Sequence, residues 1–218
     1  MKLVLTGGTG VLGRALEDLV GPAGHTAHAP SHGELDLFDA AALAPAVSGA
    51  DAVLHLATRI PPRERFAQPE AWAENDRLRT EAARALVDAA LGAGVATFVQ
   101  PTVAFVYPRD APADEDTPVS EVALNLRSAL VAEQETARFA AAGRRGVVLR
   151  FGLLDGPGTG HGPLYDVYGT TLHVADAASA LLAALSVPSG IYNVCRDGER
   201  VSNERFKRSA GWRPRQVA

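Results

Sequence analysis

Hydrophobic positions along the chain fall into short apolar runs separated by amphipathic stretches. Residues 2–6, Lys-Leu-Val-Leu-Thr, form an apolar run that ends in a glycine cluster, the pattern of a buried strand. Val11, Leu12, Ala15, Leu16, Leu19 and Val20 recur at helical spacing, and Gly21, Pro22 and Gly24 end that helix. Thr26–Ala29 reads as a weak second strand, 38–47 as a short helix interrupted by Pro45, and 51–57 as a third strand. Beyond a charged, Pro-rich loop at 59–69, a long helix is predicted over about 70–91, closed by Gly92 and Gly94. A fourth strand and its exit loop occupy 95–106, and a second long helix runs over about 120–142 to Gly143. Val147–Phe151 is a fifth strand, 152–163 is rich in Gly and Pro, 174–185 is a helix and 191–195 a last strand.

Strands alternating with helices imply an α/β chain with a parallel sheet covered by helices on both faces. In such sheets ligands bind beyond the carboxyl ends of the strands, where strand order reverses. The residues that follow each strand are therefore the candidates for chemistry. The first strand–helix junction is Thr6-Gly7-Gly8-Thr9-Gly10-Val11-Leu12-Gly13, with Gly7, Gly10 and Gly13 spaced G-x-x-G-x-x-G. A tight turn, close approach of backbone to a pyrophosphate and close helix–strand packing each favour a residue without Cβ. The helix that follows points free N–H groups and its positive dipole end at phosphate oxygens.

At these residues the chain resembles the extended short-chain dehydrogenase/reductase family, in its NAD-dependent epimerase/dehydratase group. The glycine loop is similar to the family's T-G-x-x-G-x-x-G, Glu34-Leu35-Asp36-Leu37 to its adenine-side segment, and 51–57 to its D-x-V-x-H-L-A strand. Asn75 and Thr80 match its N-x-x-x-x-T helix, and Val106-Tyr107 its V-Y-G with Pro108 in place of Gly. Gly156-Pro157, Leu172–Asp176 and Gly190–Val194 resemble its later motifs, with Asp155 where Y-G-P has Tyr. The resemblance implies a Rossmann-type doubly wound parallel sheet. It also implies a dinucleotide held by Gly7, Thr9, Gly10, Val11, Leu12, Gly13, Arg14, Ser31, His32, Asp36, Leu37, Leu56, Ala57, Thr58 and Asn75.

Two departures stand out. The family's chemistry rests on a Tyr-x-x-x-Lys pair: the tyrosine is the acid/base and the lysine binds ribose and lowers the tyrosine pKa. Four residues after Tyr107, Tyr165, Tyr168 and Tyr192 stand Ala111, Gly169, Leu172 and Arg196. The chain has only two lysines, Lys2 and Lys207, and neither lies on the relevant helix. Alignment through Ala132-Glu133-Gln134 puts Asn125 and Ala129 at the family's Tyr and Lys positions, and Val103 at its hydroxyl position beside Thr102. Loss of a positioned acid/base typically costs ~10²–10⁴-fold in rate. The second departure is size. Only 15 residues separate Pro157 from His173 and 23 follow Cys195. We therefore expect one domain over 1–218 with a much reduced substrate-binding cap, of which 152–172 and 196–218 are the remnant.

With no acid at the end of the second strand until Glu34, and with Arg14, Ser31 and His32 near the ribose 2′ position, the sequence favours NADP over NAD. Candidate catalytic residues are Thr102, Tyr107 and Asn125. His161 and Tyr165, in the segment that replaces the cap, are candidate substrate contacts. His25, His28 and His32 straddle a strand whose alternate residues face opposite ways, so no metal site is expected. Three functions stay open. One is an NAD(P)-dependent epimerase, dehydratase or reductase of a small molecule with displaced catalytic groups. Another is a nucleotide-binding protein without turnover. The third is a non-redox isomerase, lyase or cyclase that reuses the pocket.

Composition narrows the partners. Net charge is −4, with 21% charged and 47% hydrophobic residues, which suits a soluble domain with a real core and not a nucleic-acid binder. The basic tail, Arg205, Lys207, Arg208, Arg213 and Arg215, reads as a solvated end. The single cysteine, Cys195, excludes an internal disulfide. The opening MKLVLTGGTG lacks the apolar stretch of a signal peptide, so a cytoplasmic protein without a membrane span is expected. Leu78, Ala82, Ala85, Leu86 and Ala89 form one stripe on the first long helix. Leu126, Leu130, Ala137 and Ala140 form another on the second; the family resemblance implies a two-fold homodimer paired through these two helices, and the stripes would supply its surface.

Overall fold

A computed structural model describes residues 1–119, 122, 124–160 and 168–215. The chain begins with β1 (Lys2–Thr6), α1 (Val11–Val20), β2 (Thr26–His28), α2 (Ala40–Val47) and β3 (Ala52–His55). A helical rod follows, built of α3 (Ala73–Arg77), a π-helical turn (Leu78–Ala82) and α4 (Ala83–Gly92). Next come β4 (Thr97–Val103), α5 (Arg127–Ala141) and β5 (Arg145–Phe151). The last elements are β6 (Leu153–Asp155), β7 (Thr171–His173), α6 (Val174–Ala183), β8 (Gly190–Val194) and α7 (Glu204–Ala210).

Six strands form one parallel sheet in the order β2-β1-β3-β4-β5-β8, and β6 and β7 form a separate parallel pair. Strand alternation sorts side chains between two cores. Leu3, Leu5, Ala52, Leu54 and Val99 face α1 and α6, whereas Val4, Val53 and Phe98 face α2, α4 and α5. The doubly wound parallel sheet is thus the observed fold. Strand order reverses between β1, which leads to β2 on one side, and β3 on the other. The crevice outside Thr6 and His55 is the switch point where such sheets bind ligands.

Several elements depart from the pattern read in the sequence. The helix expected over 70–91 opens with a 3₁₀ turn, Pro69–Trp72, and carries the π turn in its middle. That turn inserts a residue that apolar periodicity alone does not show. The second long helix is regular only from Arg127, after a 3₁₀ turn at Leu124–Leu126. No capping side chain marks its start. The paired strands β6 and β7 are three residues each, too short for periodicity to reveal. On the proposed dimer stripes Leu78, Ala82 and Leu86 face inward and Ala137 is exposed. Arg84 with Glu135, and Arg138 with Glu135 and Asp88, tie α4 to α5 across their outer surface.

The basic tail is anchored. Phe206 of α7 packs between Tyr192 and Trp212, with ring centroids 5.7 and 5.4 Å away. Trp212 Nε1 donates to Ser179 Oγ at 2.8 Å, and the Arg215 N–H donates to Asp176 Oδ1 at 3.0 Å. No helix among the described residues is long and apolar enough to cross a membrane. Because Trp212 is almost fully buried, Trp212→Ala should lower the unfolding free energy by about 3 kcal/mol. Urea denaturation checks this, and an unchanged midpoint would mean that the tail adds nothing to the core.

Candidate functional site

The glycine loop leaves β1 with Gly7 at φ +75°, where a Cβ would lie 2.6 Å from the Ala57 backbone across the switch point. A Cβ on Gly13 would stand 2.0 Å from the Gly8 carbonyl oxygen, so α1 meets the loop backbone to backbone. The Gly10 N–H closes the turn onto the Gly7 carbonyl at 2.9 Å. As the residue that starts α1, Gly10 offers no side-chain cap. The first-turn N–H groups of Val11, Leu12 and Gly13 are left for an external acceptor. Thr9 is exposed, and the Arg14 guanidinium donates back to its carbonyl. Leu56, Ala57 and Thr58 form the facing wall, passing from buried to exposed. This cradle of close backbone with unsatisfied donors fits a dinucleotide pyrophosphate.

Beyond β2, Ala29 touches the loop, since a Cβ on Gly8 would be 2.5 Å from Ala29 Cβ. The chain then turns at Ser31, whose N–H and hydroxyl both donate to Glu34 Oε2 at 2.8 and 2.7 Å. These bonds hold the Glu34 carboxyl below its ordinary pKa. His32 and Asp36 are exposed, Asp36 Oδ1 accepts from the Phe38 N–H at 2.9 Å, and Leu37 packs on the second core. Glu34 thus places a carboxylate where a ribose is expected and takes up the Ser31 groups that the sequence had left for a phosphate.

At the end of β3, His55 is buried between Thr6 Oγ1 at 2.6 Å and the Leu78 carbonyl at 3.0 Å. A carbonyl only accepts, so the imidazole proton sits on Nε2 and Thr6 donates to Nδ1. Burial pushes the His55 pKa down to about 4, and the nearby Arg79 charge acts in the same direction. The same Leu78 carbonyl accepts from the Ala83 N–H, the bond of the π turn. That turn packs on α5. Asn75 is fully buried and its Oδ1 accepts from the Arg59 N–H at 3.1 Å, ordering the chain after β3.

The end of β4 holds a closed polar network. Thr102 Oγ1 donates to Glu133 Oε1 at 2.9 Å. Arg150 donates to both Glu133 oxygens, at 2.9 and 2.6 Å, and to the Tyr107 hydroxyl at 2.7 Å. The Tyr107 hydroxyl in turn donates to Asn193 Oδ1 at 2.9 Å, and the Asn193 N–H donates to Glu115 Oε1 at 2.8 Å. Burial raises the Tyr107 pKa against the opposing pull of Arg150. Val103, Val122 and Leu130, each partly buried, pack against an apolar cluster that includes Ala104, Val106 and the Tyr107 ring. Asn125 falls in the 3₁₀ turn before α5, and Ala129 is buried on α5. His161 and Tyr165 lie outside the described residues. Of the three candidate catalytic residues, the structure brings Thr102 and Tyr107 into one network and leaves Asn125 on a separate turn.

Residues 3–168 match the family described as NAD dependent epimerase/dehydratase. The chain belongs to that family. It is 34% identical, over 236 aligned positions, to a protein from Streptomyces sp named 3-diazoavenalumate denitrifying reductase, spanning 90% of this chain and 76% of that one. Its fold is similar to RMD from Pseudomonas aeruginosa complexed with NADPH (TM-score 0.82, 22% identity, 100% of this chain and 95% of that one). It is also similar to a short-chain dehydrogenase/reductase superfamily protein from Agrobacterium tumefaciens with bound NAD (TM-score 0.83, 19% identity, 100% and 93% covered).

Sequence reasoning missed Glu133, Arg150 and Arg79. The signal for Arg150 was present: it is the charged residue inside the apolar run Val147–Phe151, and a charge so placed needs a buried partner. For His55, the folded pKa of about 4 lies below the ordinary 6.5, so the unfolded chain binds more protons between these values. Stability is therefore complete above pH 6.5 and should fall by about 3 kcal/mol as pH drops to 4. In urea denaturation across that window, His55→Gln should show a flatter pH dependence than the parent chain. Parallel curves would remove His55 as the origin.

Proposed function

We propose that this member of the family is a nicotinamide-dependent reductase whose substrate accepts hydride without a proton from a protein acid. The observation that carries this reading is the closed network at the end of β4. The Thr102 hydroxyl is donated to Glu133, and the Tyr107 hydroxyl is donated to Asn193 while it accepts from Arg150. Neither hydroxyl is free to give a proton to an oxyanion, and the neighbouring wall is Val103, Val122 and Leu130. Ketone reduction needs such a proton at the reacting centre. Replacement of an aryldiazonium group by hydrogen does not: hydride from the dihydronicotinamide forms the C–H bond as the C–N bond breaks, the nitrogen leaves as neutral dinitrogen with the bonding pair, and the cationic charge passes to the oxidised nicotinamide.

The reductase relative, whose name specifies denitrification of a diazo compound, supports that choice. When bound, a dihydronicotinamide supplies the hydride. The chain's own part is to hold the two ends of the dinucleotide and to present an apolar wall that keeps water from the acceptor carbon. The glycine loop and the α1 N-terminus take the pyrophosphate. Glu34 takes the adenosine ribose. Arg14, Ser31 and His32 alone favour NADP. With Glu34 on Ser31, a 2′-phosphate would meet a carboxylate, and a ribose 2′-hydroxyl would meet an acceptor. The preferred cofactor in this reading is NADH.

Incubation with reduced, deuterium-labelled nicotinamide and a diazo-substituted aromatic carboxylate should release dinitrogen and leave deuterium on the carbon that held it, above a protein-free control. Simple ketones and nucleotide sugars should turn over at least ~10²-fold more slowly. Fast ketone reduction would overturn the reading, and tight cofactor binding with no turnover of either class would favour a nucleotide-binding protein instead. Glu34→Ala should shift the ratio of NADPH to NADH affinity, read by nicotinamide fluorescence, by ~10-fold toward NADPH, in line with a lost charge-assisted bond and relieved repulsion. An unchanged ratio would place the ribose elsewhere.

A further inference from the structure

Two buried donors beside this crevice have no acceptor among the described residues: Nδ2 of Asn75 and Nη1 of Arg79. Asn75 is completely buried and Arg79 is 5% exposed. They stand one helical turn apart, Asn75 in α3 and Arg79 in the π turn, and so project from one side of the rod. That side faces β3 and α5. His55, Asp76 and Glu133 all feel the Arg79 charge. Burial draws the Arg79 pKa down only to about 10, so the guanidinium remains a cation at neutral pH.

Of the acceptors on this side, Gln100 Oε1, beside His55, is buried and itself lacks a partner, and the two carboxylates are engaged. Glu133 receives Thr102 and Arg150, and Asp76 Oδ1 receives the Ser128 hydroxyl at 2.6 Å. Next to Ser128 and Glu133 the inner face of α5 presents Ala129 and Ala132, whose side chains carry no polar atom. An unpaired buried donor costs about 1–3 kcal/mol, and more where it is charged. Two such donors side by side at a ligand crevice are explained if the ligand supplies the missing oxygens. The placement of a dinucleotide identifies them. The pyrophosphate rests on the glycine loop and the adenosine end runs to Ser31 and Glu34 beyond β2. The other half must therefore cross β3 toward β4, past His55 and the rod that carries Asn75 and Arg79.

We propose that Asn75 and Arg79 form a donor pair for the hydroxyl oxygens of the nicotinamide-side ribose, with Arg79 the buried cation of the site. The pair rests on the dinucleotide reading above. Both atoms are covered in the ligand-free chain, so the guanidinium turns about its flexible stem to engage. Arg79 is in this account a binding residue. It transfers no proton, since an arginine does not deprotonate in this range.

The experiment compares NADH with ADP, which carries the pyrophosphate and adenosine but lacks the second ribose. Calorimetry on the parent chain should show binding of both. Arg79→Met should weaken NADH by ~10–100-fold, the equivalent of one or two hydrogen bonds to a charged group, and leave ADP within about twofold. In the intact chain the Arg79 ¹⁵Nε resonance, assigned by its loss in Arg79→Lys, should shift on addition of NADH and not of ADP. This second measurement stands even if Arg79→Met does not fold. Unchanged NADH affinity in a folded Arg79→Met, equal loss of NADH and ADP, or an Arg79 resonance indifferent to NADH would each overturn the donor pair while the cofactor reading survives. A parent chain that binds neither ligand would overturn both.

Discussion

The opposed charges of Glu133 and Arg150, each more than nine-tenths buried, govern the carboxyl end of the sheet. Removing two ions from water is expensive, and the interior repays it only when geometry is close and the remaining donors and acceptors are filled. Here both carboxylate oxygens receive guanidinium N–H groups, one also receives Thr102, and the remaining guanidinium arm meets Tyr107. Loss of either ion would strand the other, so the partners are fixed together. The pair joins α5 to β4 and β5 at the level where a substrate would sit, and so decides which side chains there are free. Thr102 and Tyr107 both serve the ion pair.

A second constraint acts at the other side of the switch point. Gly7, Gly8 and Gly13 are packed so closely against Ala57, Ala29 and one another that no side chain fits. The backbone is thereby brought within reach of a ligand and the α1 N-terminus is left uncapped. Between these fixed ends lies the π turn. Its extra residue lets the Leu78 carbonyl serve both Ala83 and His55, which clamps the rod to β3. Glycine loop, clamped rod and closed network together divide the crevice into a part with close-packed backbone and an uncapped helix start and a part whose hydroxyls are already paired.

Much of the fold was legible because its signals are local. The strand–glycine–helix junction, the alternation of Leu3, Val4 and Leu5 between two cores, and the helix stops at Gly92 and Gly143 each lie within a few residues. The polar network was not legible, because Thr102, Glu133, Arg150 and Asn193 come from four elements and only the sheet brings them together. Glu34 was visible as an acid, but its role depended on a turn that folds it back on Ser31. Arg79 carried no signal of its own in the sequence, since the π turn that carries it inward leaves no mark in apolar spacing. The absence of the Tyr and Lys pair was readable from residue identities alone; what stands around the empty positions was not.

The sheet ends on β2, three residues long, with Thr26, Ala27 and His28 all exposed. An open strand edge is a template on which another chain can continue the ladder, and long flat apolar edges are where proteins aggregate. This edge gives a newcomer very little. Its few free backbone groups, a polar residue at either end and the Pro30 that follows soon after make sheet growth in that direction unfavourable. The brevity of β2 thus guards against association, by which this open edge of the sheet is kept from joining its neighbours.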